Sequence, residues 1–116
     1  MVGDYMGVLI KNADVTIYHH YLDENKLDAY KRINIEGVNW NSKRNATVSD
    51  KGVNISYTTM IVAPIGDYEV TTGDKVIKGN ISLDITRLTD LKGYTVLTVV
   101  GTQENNIMQT LNIECK

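Results

Sequence analysis

Hydrophobic and polar residues alternate over much of the chain, which is the pattern of half-buried β-strands. Residues 14–21 are rich in β-branched and aromatic side chains, and Val15, Ile17 and His19 fall on one face. A polar turn follows, and residues 27–38 then alternate again. The two segments predict an antiparallel hairpin of long strands.

The remainder of the chain shows the same alternation in shorter segments. The further predicted strands cover residues 55–63, 75–78, 81–85, 94–100 and 107–113. Pro64 ends the first of these, and residues 89–92 form one helical turn at most. Six to eight strands at this spacing predict an all-β fold, a small antiparallel barrel or sandwich. We expect one domain over residues 1–116, with residues 1–12 as a flexible N-terminal arm.

The segment 41–54 is polar and lies between two predicted strands. A loop of this length is unusual in a compact domain, and long loops are commonly functional or disordered. We therefore expect a long polar loop, which either contacts a partner or is simply flexible. Its candidate contact residues are Ser42, Lys43, Arg44, Asn45, Thr47, Ser49, Asp50 and Lys51.

Composition narrows the function classes. The chain has 116 residues, of which 42% are hydrophobic, and a net charge of −2. This balance disfavours general binding to nucleic acid or anionic membranes, which needs a basic face. The N-terminus lacks signal-peptide character and no apolar run is long enough to span a membrane, so we expect a cytoplasmic protein. The single Cys115 cannot form an internal disulfide, and we expect a free thiol near a frayed end.

No pattern predicts a catalytic, metal or cofactor site. His19 and His20 are consecutive in a strand and should point to opposite faces, so they cannot readily share one ion. The segment Gly73–Gly79 lacks the Gly-Lys-Ser/Thr ending of a phosphate loop, and no helix follows it. It is better interpreted as a strand between two tight turns. Lys75 and Lys78 are then rim charges for a neighbouring subunit.

The aromatic residues leave one alternative open. A barrel that binds single-stranded nucleic acid would interleave aromatic and basic side chains on one face. The candidates for such a surface are Tyr18, Tyr21, Tyr30, Lys31 and Arg32. Cross-strand packing of the tyrosines is the favoured interpretation.

Taken in order, the segments resemble phage head–tail joining proteins, which are small β-barrel adaptors of the head-completion or stopper type. The resemblance rests on the hairpin "DVTIYHHYLDENKLDAYKRINIEGVNW", the polar "NSKRNATVSDKGVN", the strand "ISYTTMIVAP" and the module "GDKVIKGNISLDITRLTDLKGYTVLTVVG". The first three of these segments, up to and including "ISYTTMIVAP", are also similar to small uncharacterised structural proteins of Gram-positive phages and prophages.

This resemblance implies a non-enzymatic virion protein of the neck, assembled in the bacterial cytoplasm. It implies a homo-oligomeric ring, with a dodecamer favoured and a hexamer as the alternative. The implied partners are a portal or adaptor ring above, a tail-terminator or tail protein below, and the packaged DNA in the channel. A tail-terminator or tail-tube-like ring protein is the alternative function, followed by an OB-like module for single-stranded nucleic acid.

Overall fold

The computed structural model describes residues 10–116. The strands are β1 (Ala13–Leu22), β2 (Asp28–Ser49), β3 (Gly52–Pro64), β4 (Lys75–Lys78), β5 (Leu97–Asn105) and β6 (Thr110–Cys115), and a 3-10 turn at Leu88–Leu91 precedes β5. All strand pairs are antiparallel, and the order β1-β2-β3-β6-β5-β4 closes into a barrel. The predicted all-β antiparallel fold is confirmed.

The long strand β2 is shared between two partners. Up to Val38 it pairs with β1, and from Asn39 onward it pairs with β3. Gly37, at the change of partner, has a φ of +76°, a conformation that glycine adopts without a steric penalty. Its N–H donates to Asp14 Oδ1 at 3.0 Å, beside an irregularity in the β1–β2 register. Gly37 therefore lies where β2 passes from its pairing with β1 to its pairing with β3.

The barrel interior is filled by the alternate residues of every strand. Val15, Ile17, Val38, Ile61, Val76, Val99, Ile113 and Cys115 are all fully buried there. A second, smaller cluster lies on the outer side of β1 and β4, where Tyr18 and Ile77 pack with Ile85 and Leu91. The interior cluster is modest, as expected for a chain of this size.

The strand predicted at residues 81–85 is absent. Side chains of β1, rather than the backbone of a neighbouring strand, hold this segment. Thr16 Oγ1 accepts the Ile81 N–H at 3.0 Å, and Tyr18 Oη donates to the Leu83 carbonyl at 2.6 Å. Of the three alternating apolar residues, Ile85 is buried in the outer cluster and Ile81 packs against it, whereas Leu83 is 38% exposed. Alternation in the sequence without a backbone partner does not make a strand.

The long polar loop predicted at residues 41–54 is also wrong. Strand β2 continues to Ser49, β3 begins at Gly52, and only Asp50 and Lys51 form the turn between them. Gly52 has a φ of +119°, which suits the exit from a tight turn. The segment is a regular β-hairpin in which no residue is buried.

The predicted N-terminal arm falls mostly outside the described residues, since residues 1–9 are not among them. Its last residue, Asn12, is held against β2. The Asn12 side chain donates to the Trp40 carbonyl at 3.0 Å and accepts the Trp40 N–H at 2.7 Å. Asn12 is therefore fixed against β2 before β1 begins.

The C-terminal thiol is not at a frayed end. Cys115 is the last residue of β6, pairs with Thr59 and Val99, and is fully buried as a free cysteine. Burial, with a smaller contribution from the Glu114 charge, raises the pKa of the Cys115 thiol to about 12. The thiolate is the reactive form, so the native thiol should resist modification.

We expect Cys115 to remain unmodified when the folded protein is treated with DTNB at pH 8. Relative to an exposed thiol, its thiolate fraction is lower by roughly a thousandfold. The same protein in concentrated urea should release one equivalent of chromophore within minutes. Rapid release of one equivalent without denaturant would contradict the position of β6 in the barrel.

Candidate functional site

The most distinctive feature of the molecule is the outer part of the β2–β3 hairpin, residues 43–58, which we call the arm. Seven residue pairs join its two strands, from Lys43–Thr58 to Ser49–Gly52. Strand β6 pairs with β3 only from Thr59 onward. At the rise of a β-strand the arm extends about 23 Å from the barrel. Among residues 10–116, neither edge of the arm is paired with another strand.

The two faces of the arm differ in chemistry. The face that continues the barrel interior carries Val48, Val53, Ile55 and Tyr57, which are 79%, 60%, 48% and 62% exposed. The opposite face is polar throughout, with Lys43, Asn45, Thr47 and Ser49 contributed by β2. A two-stranded ribbon is marginally stable alone in water, and exposed apolar side chains add to the cost. The apolar face is therefore a candidate contact surface.

The candidate residues predicted in this segment do not form one surface. Ser42 and Arg44 lie on the face with the apolar residues, whereas Lys43, Asn45, Thr47 and Ser49 lie on the polar face, and Asp50 and Lys51 form the turn. Several of these side chains stabilise the hairpin itself. The Ser42 and Thr59 hydroxyls lie 2.9 Å apart, and Asn45 Nδ2 donates to Thr58 Oγ1 at 3.0 Å. The basic side chains, by contrast, are exposed.

The two predicted rim lysines point in different directions. Lys75 Nζ donates to Thr98 Oγ1 at 2.8 Å on the adjacent strand. Lys78 Nζ lies 5.4 Å from the centroid of the Trp40 ring, within cation–π range. The two lysines lie on opposite faces of β4 and do not form a joint charged rim.

A groove lies where the arm joins the barrel. Its volume is about 520 Å³, and its lining includes Trp40, Tyr57, Ile77, Lys78, Tyr94 and Leu97. Tyr57 is 62% and Tyr94 43% exposed, and Lys78 provides the cation. Tyr57 belongs both to the apolar face of the arm and to the lining of the groove, so the two surfaces are continuous. Sequence reasoning missed this set because its members are contributed by four separate segments.

The aromatic surface that the sequence left open as an alternative is not formed. Tyr18 is fully buried, and its hydroxyl donates a hydrogen bond to the Leu83 carbonyl. Burial raises the pKa of Tyr18, an effect that the Arg32 charge partly offsets. Tyr30 packs against the His20 ring, with centroids 5.5 Å apart. These tyrosines have packing roles and do not form a stacking platform.

The histidines behave as the strand geometry predicts. His19 Nδ1 lies 2.8 Å from Asp74 Oδ2, and His20 Nε2 lies 2.7 Å from Asp28 Oδ1 on the other side of β1. Within residues 10–116, no group of three or more His, Cys, Asp or Glu side chains is arranged to hold a metal ion.

Among residues 10–116, Asp74 takes part in more side-chain hydrogen bonds than any other residue. It is 1% exposed and accepts the N–H groups of His20 at 3.1 Å and Thr71 at 2.9 Å. It also lies within hydrogen-bond distance of the Thr71 hydroxyl and of His19. Asp74 thereby ties the turn before β4 to the end of β1.

No helix within the described part of the chain, residues 10–116, combines the length and apolar character needed to cross a membrane.

Comparison with known proteins adds one finding. No curated protein and no solved structure matches the chain significantly. Residues 10–116, which include every strand of the barrel and the arm, match a family of unknown function. The chain therefore belongs to the family of unknown function DUF6751.

Proposed function

We propose that the protein is a non-enzymatic structural component of tailed-phage virions. Its copies form a ring beneath the portal, extend or close the DNA channel and join head to tail. The ring has twelve subunits, or six if the protein is a tail-terminator-like component.

The observation that carries the proposal is the arm. A barrel with a small interior projects a ribbon about 23 Å long whose apolar face and both strand edges lack cover within residues 10–116. Exposed strand edges and apolar faces favour association with another chain. Such a subunit gains stability from neighbours, as the subunits of a ring do.

The weak closure of the barrel supports the same proposal. Strands β4 and β5 are joined by only two residue pairs, Lys75–Thr98 and Val76–Leu97. A subunit with so short a closing contact gains stability from neighbouring subunits.

The net charge of −2 also suits a channel in which DNA must slide, because a basic wall would retain phosphates by releasing their counterions.

The experiment that tests the proposal is to locate the protein in phage particles. An epitope tag inserted between Asn106 and Ile107 lies in the exposed β5–β6 turn and leaves the arm unaltered. Gold-labelled antibody should bind at the head–tail junction of particles from the producing host, and averaged images should show twelvefold symmetry. Labelling along the tail, or absence of the protein from purified particles, would contradict the proposal.

A second candidate function is binding of single-stranded nucleic acid, and the groove favours it. Trp40, Tyr57 and Tyr94 with Lys78 are the combination of stacking rings and a cation that such sites use. Trp40 is the only tryptophan of the chain, so its fluorescence reports directly on this groove. Quenching by a short oligonucleotide that weakens steeply with salt, and that is lost in Tyr94→Ala, would favour this function over the ring.

A further inference from the structure

The two ends of the barrel carry complementary surfaces. The arm projects from one end of β2. At the other end of β2, a cleft of about 460 Å³ opens between β1, β2 and the segment before β4. Its lining includes Tyr21, Lys31, Ile33, Asp67, Tyr68 and Glu69. We call this the acidic cleft.

The arm and the rest of the chain differ in net charge. The arm contains Lys43, Arg44 and Lys51 against a single acidic residue, Asp50, so its net charge is +2. Since the whole chain carries −2, the other residues together carry −4.

Much of that negative charge lies at the cleft end. Asp67 and Glu69 line the cleft, where Lys31 opposes them and His19 Nε2 lies 4.0 Å from Glu69 Oε2, and the Glu69 side chain is 76% exposed. The adjoining β1–β2 turn adds Asp23, Glu24 and Asp28 against Lys26, and Asp28 is exposed.

Both ends also expose apolar side chains. The arm presents Val48, Val53, Ile55 and Tyr57, and the cleft end presents Tyr21, Leu22, Leu27 and Ile65. Contact between the two would bury apolar area on both sides and pair a basic element with an acidic one. Complementary charge fixes the register of such a contact and suppresses pairing of like ends.

We propose that the arm of one copy docks into the acidic cleft of the next copy, joining copies head to tail. This inference rests on the proposed ring-forming function and assigns its subunit contact. Two different patches meet, so the contact is heterologous, and each added copy leaves one arm and one cleft free until the ring closes. Two arms would repel each other, which disfavours a symmetric arm-to-arm dimer.

Disulfide trapping tests the contact even where it is short-lived. The buried Cys115 contributes little background, so Ile55→Cys places one reactive thiol on the arm and Glu69→Cys places one at the cleft. The two variants, mixed under mild oxidation, should form the mixed dimer about tenfold faster than either forms its own. Ile107→Cys is the matched control, because Ile107 is an exposed isoleucine outside the arm, in the turn between β5 and β6. Its mixture with Glu69→Cys should remain at background.

Charge reversal provides a second measurement. Arg44→Glu in the arm variant should reduce the trapping rate about tenfold, since it places like charges together. Dominant Ile55→Cys homodimers, or a mixed dimer no faster than the Ile107→Cys control, would overturn the head-to-tail contact. An oligonucleotide shift that Arg44→Glu abolishes, without trapping, would assign the arm to nucleic acid and also overturn it.

The outcomes separate this contact from the ring itself. If the Ile55→Asp variant forms the same rings as the wild-type protein, the arm contact would be overturned and the proposed function would stand. Efficient arm-to-cleft trapping in a protein absent from phage particles would support the contact while contradicting the neck function.

Discussion

Replacing Asp74 by alanine is expected to reduce the free energy of unfolding by roughly 3 kcal/mol. The buried carboxylate accepts the backbone N–H groups of His20 and Thr71 and faces the His19 ring. Truncation leaves these donors without their partner in a site that is closed to water. Each buried donor without a partner costs about 1–3 kcal/mol. Urea denaturation followed by the fluorescence of Trp40 measures the loss.

Asp84→Ala is the matched control for this substitution. The Asp84 side chain is 81% exposed, and its ion pair with Arg32 spans 3.3 Å at the surface. Exposed ion pairs contribute about 0–1 kcal/mol, so this variant should be close to wild type. An Asp74→Ala variant as stable as Asp84→Ala would show that the turn before β4 does not depend on the carboxylate.

Asp74 also shows where sequence reasoning stops. The stretch around it predicted a turn, a short strand and a second turn, and the strand at Lys75–Lys78 is confirmed. The glycines at 73 and 79 both have positive φ, as tight turns require. Nothing in the local sequence distinguishes Asp74 from other turn aspartates, because two of its partners, His19 and His20, lie more than 50 residues away on β1.

The arm was missed for a different reason. Polar composition predicted a loop, although Val53, Ile55 and Tyr57 alternate with polar residues and an Asp-Lys-Gly turn precedes them. That alternation, together with Ala46 and Val48 on the opposing strand, was the available signal of a hairpin. The polar composition of a segment predicts how little of it is buried, whereas the alternation of apolar and polar residues predicts whether its backbone forms a strand. The arm is regular in backbone and little buried, so the two criteria disagree there.

Replacing isoleucine by alanine at two positions of β3 compares what the barrel and the arm each contribute to stability. Ile61 and Ile55 lie on the same face of β3, but Ile61 is fully buried and Ile55 is 48% exposed. Ile61→Ala should destabilise the protein by about 2–5 kcal/mol, since it leaves a cavity among core side chains. Ile55→Ala should change the stability of the isolated subunit by no more than about 0.5 kcal/mol.

The comparison should be made by urea denaturation at a protein concentration low enough to keep the subunits apart. At higher concentration, Ile55→Ala should instead weaken association, because Ile55 belongs to the face that we assign to the subunit contact. The two isoleucines then separate folding from assembly, with Ile61 contributing to the first and Ile55 to the second. A large loss of stability for Ile55→Ala in the isolated subunit would mean that the arm folds back as part of the core. It would then be unavailable to a neighbouring copy.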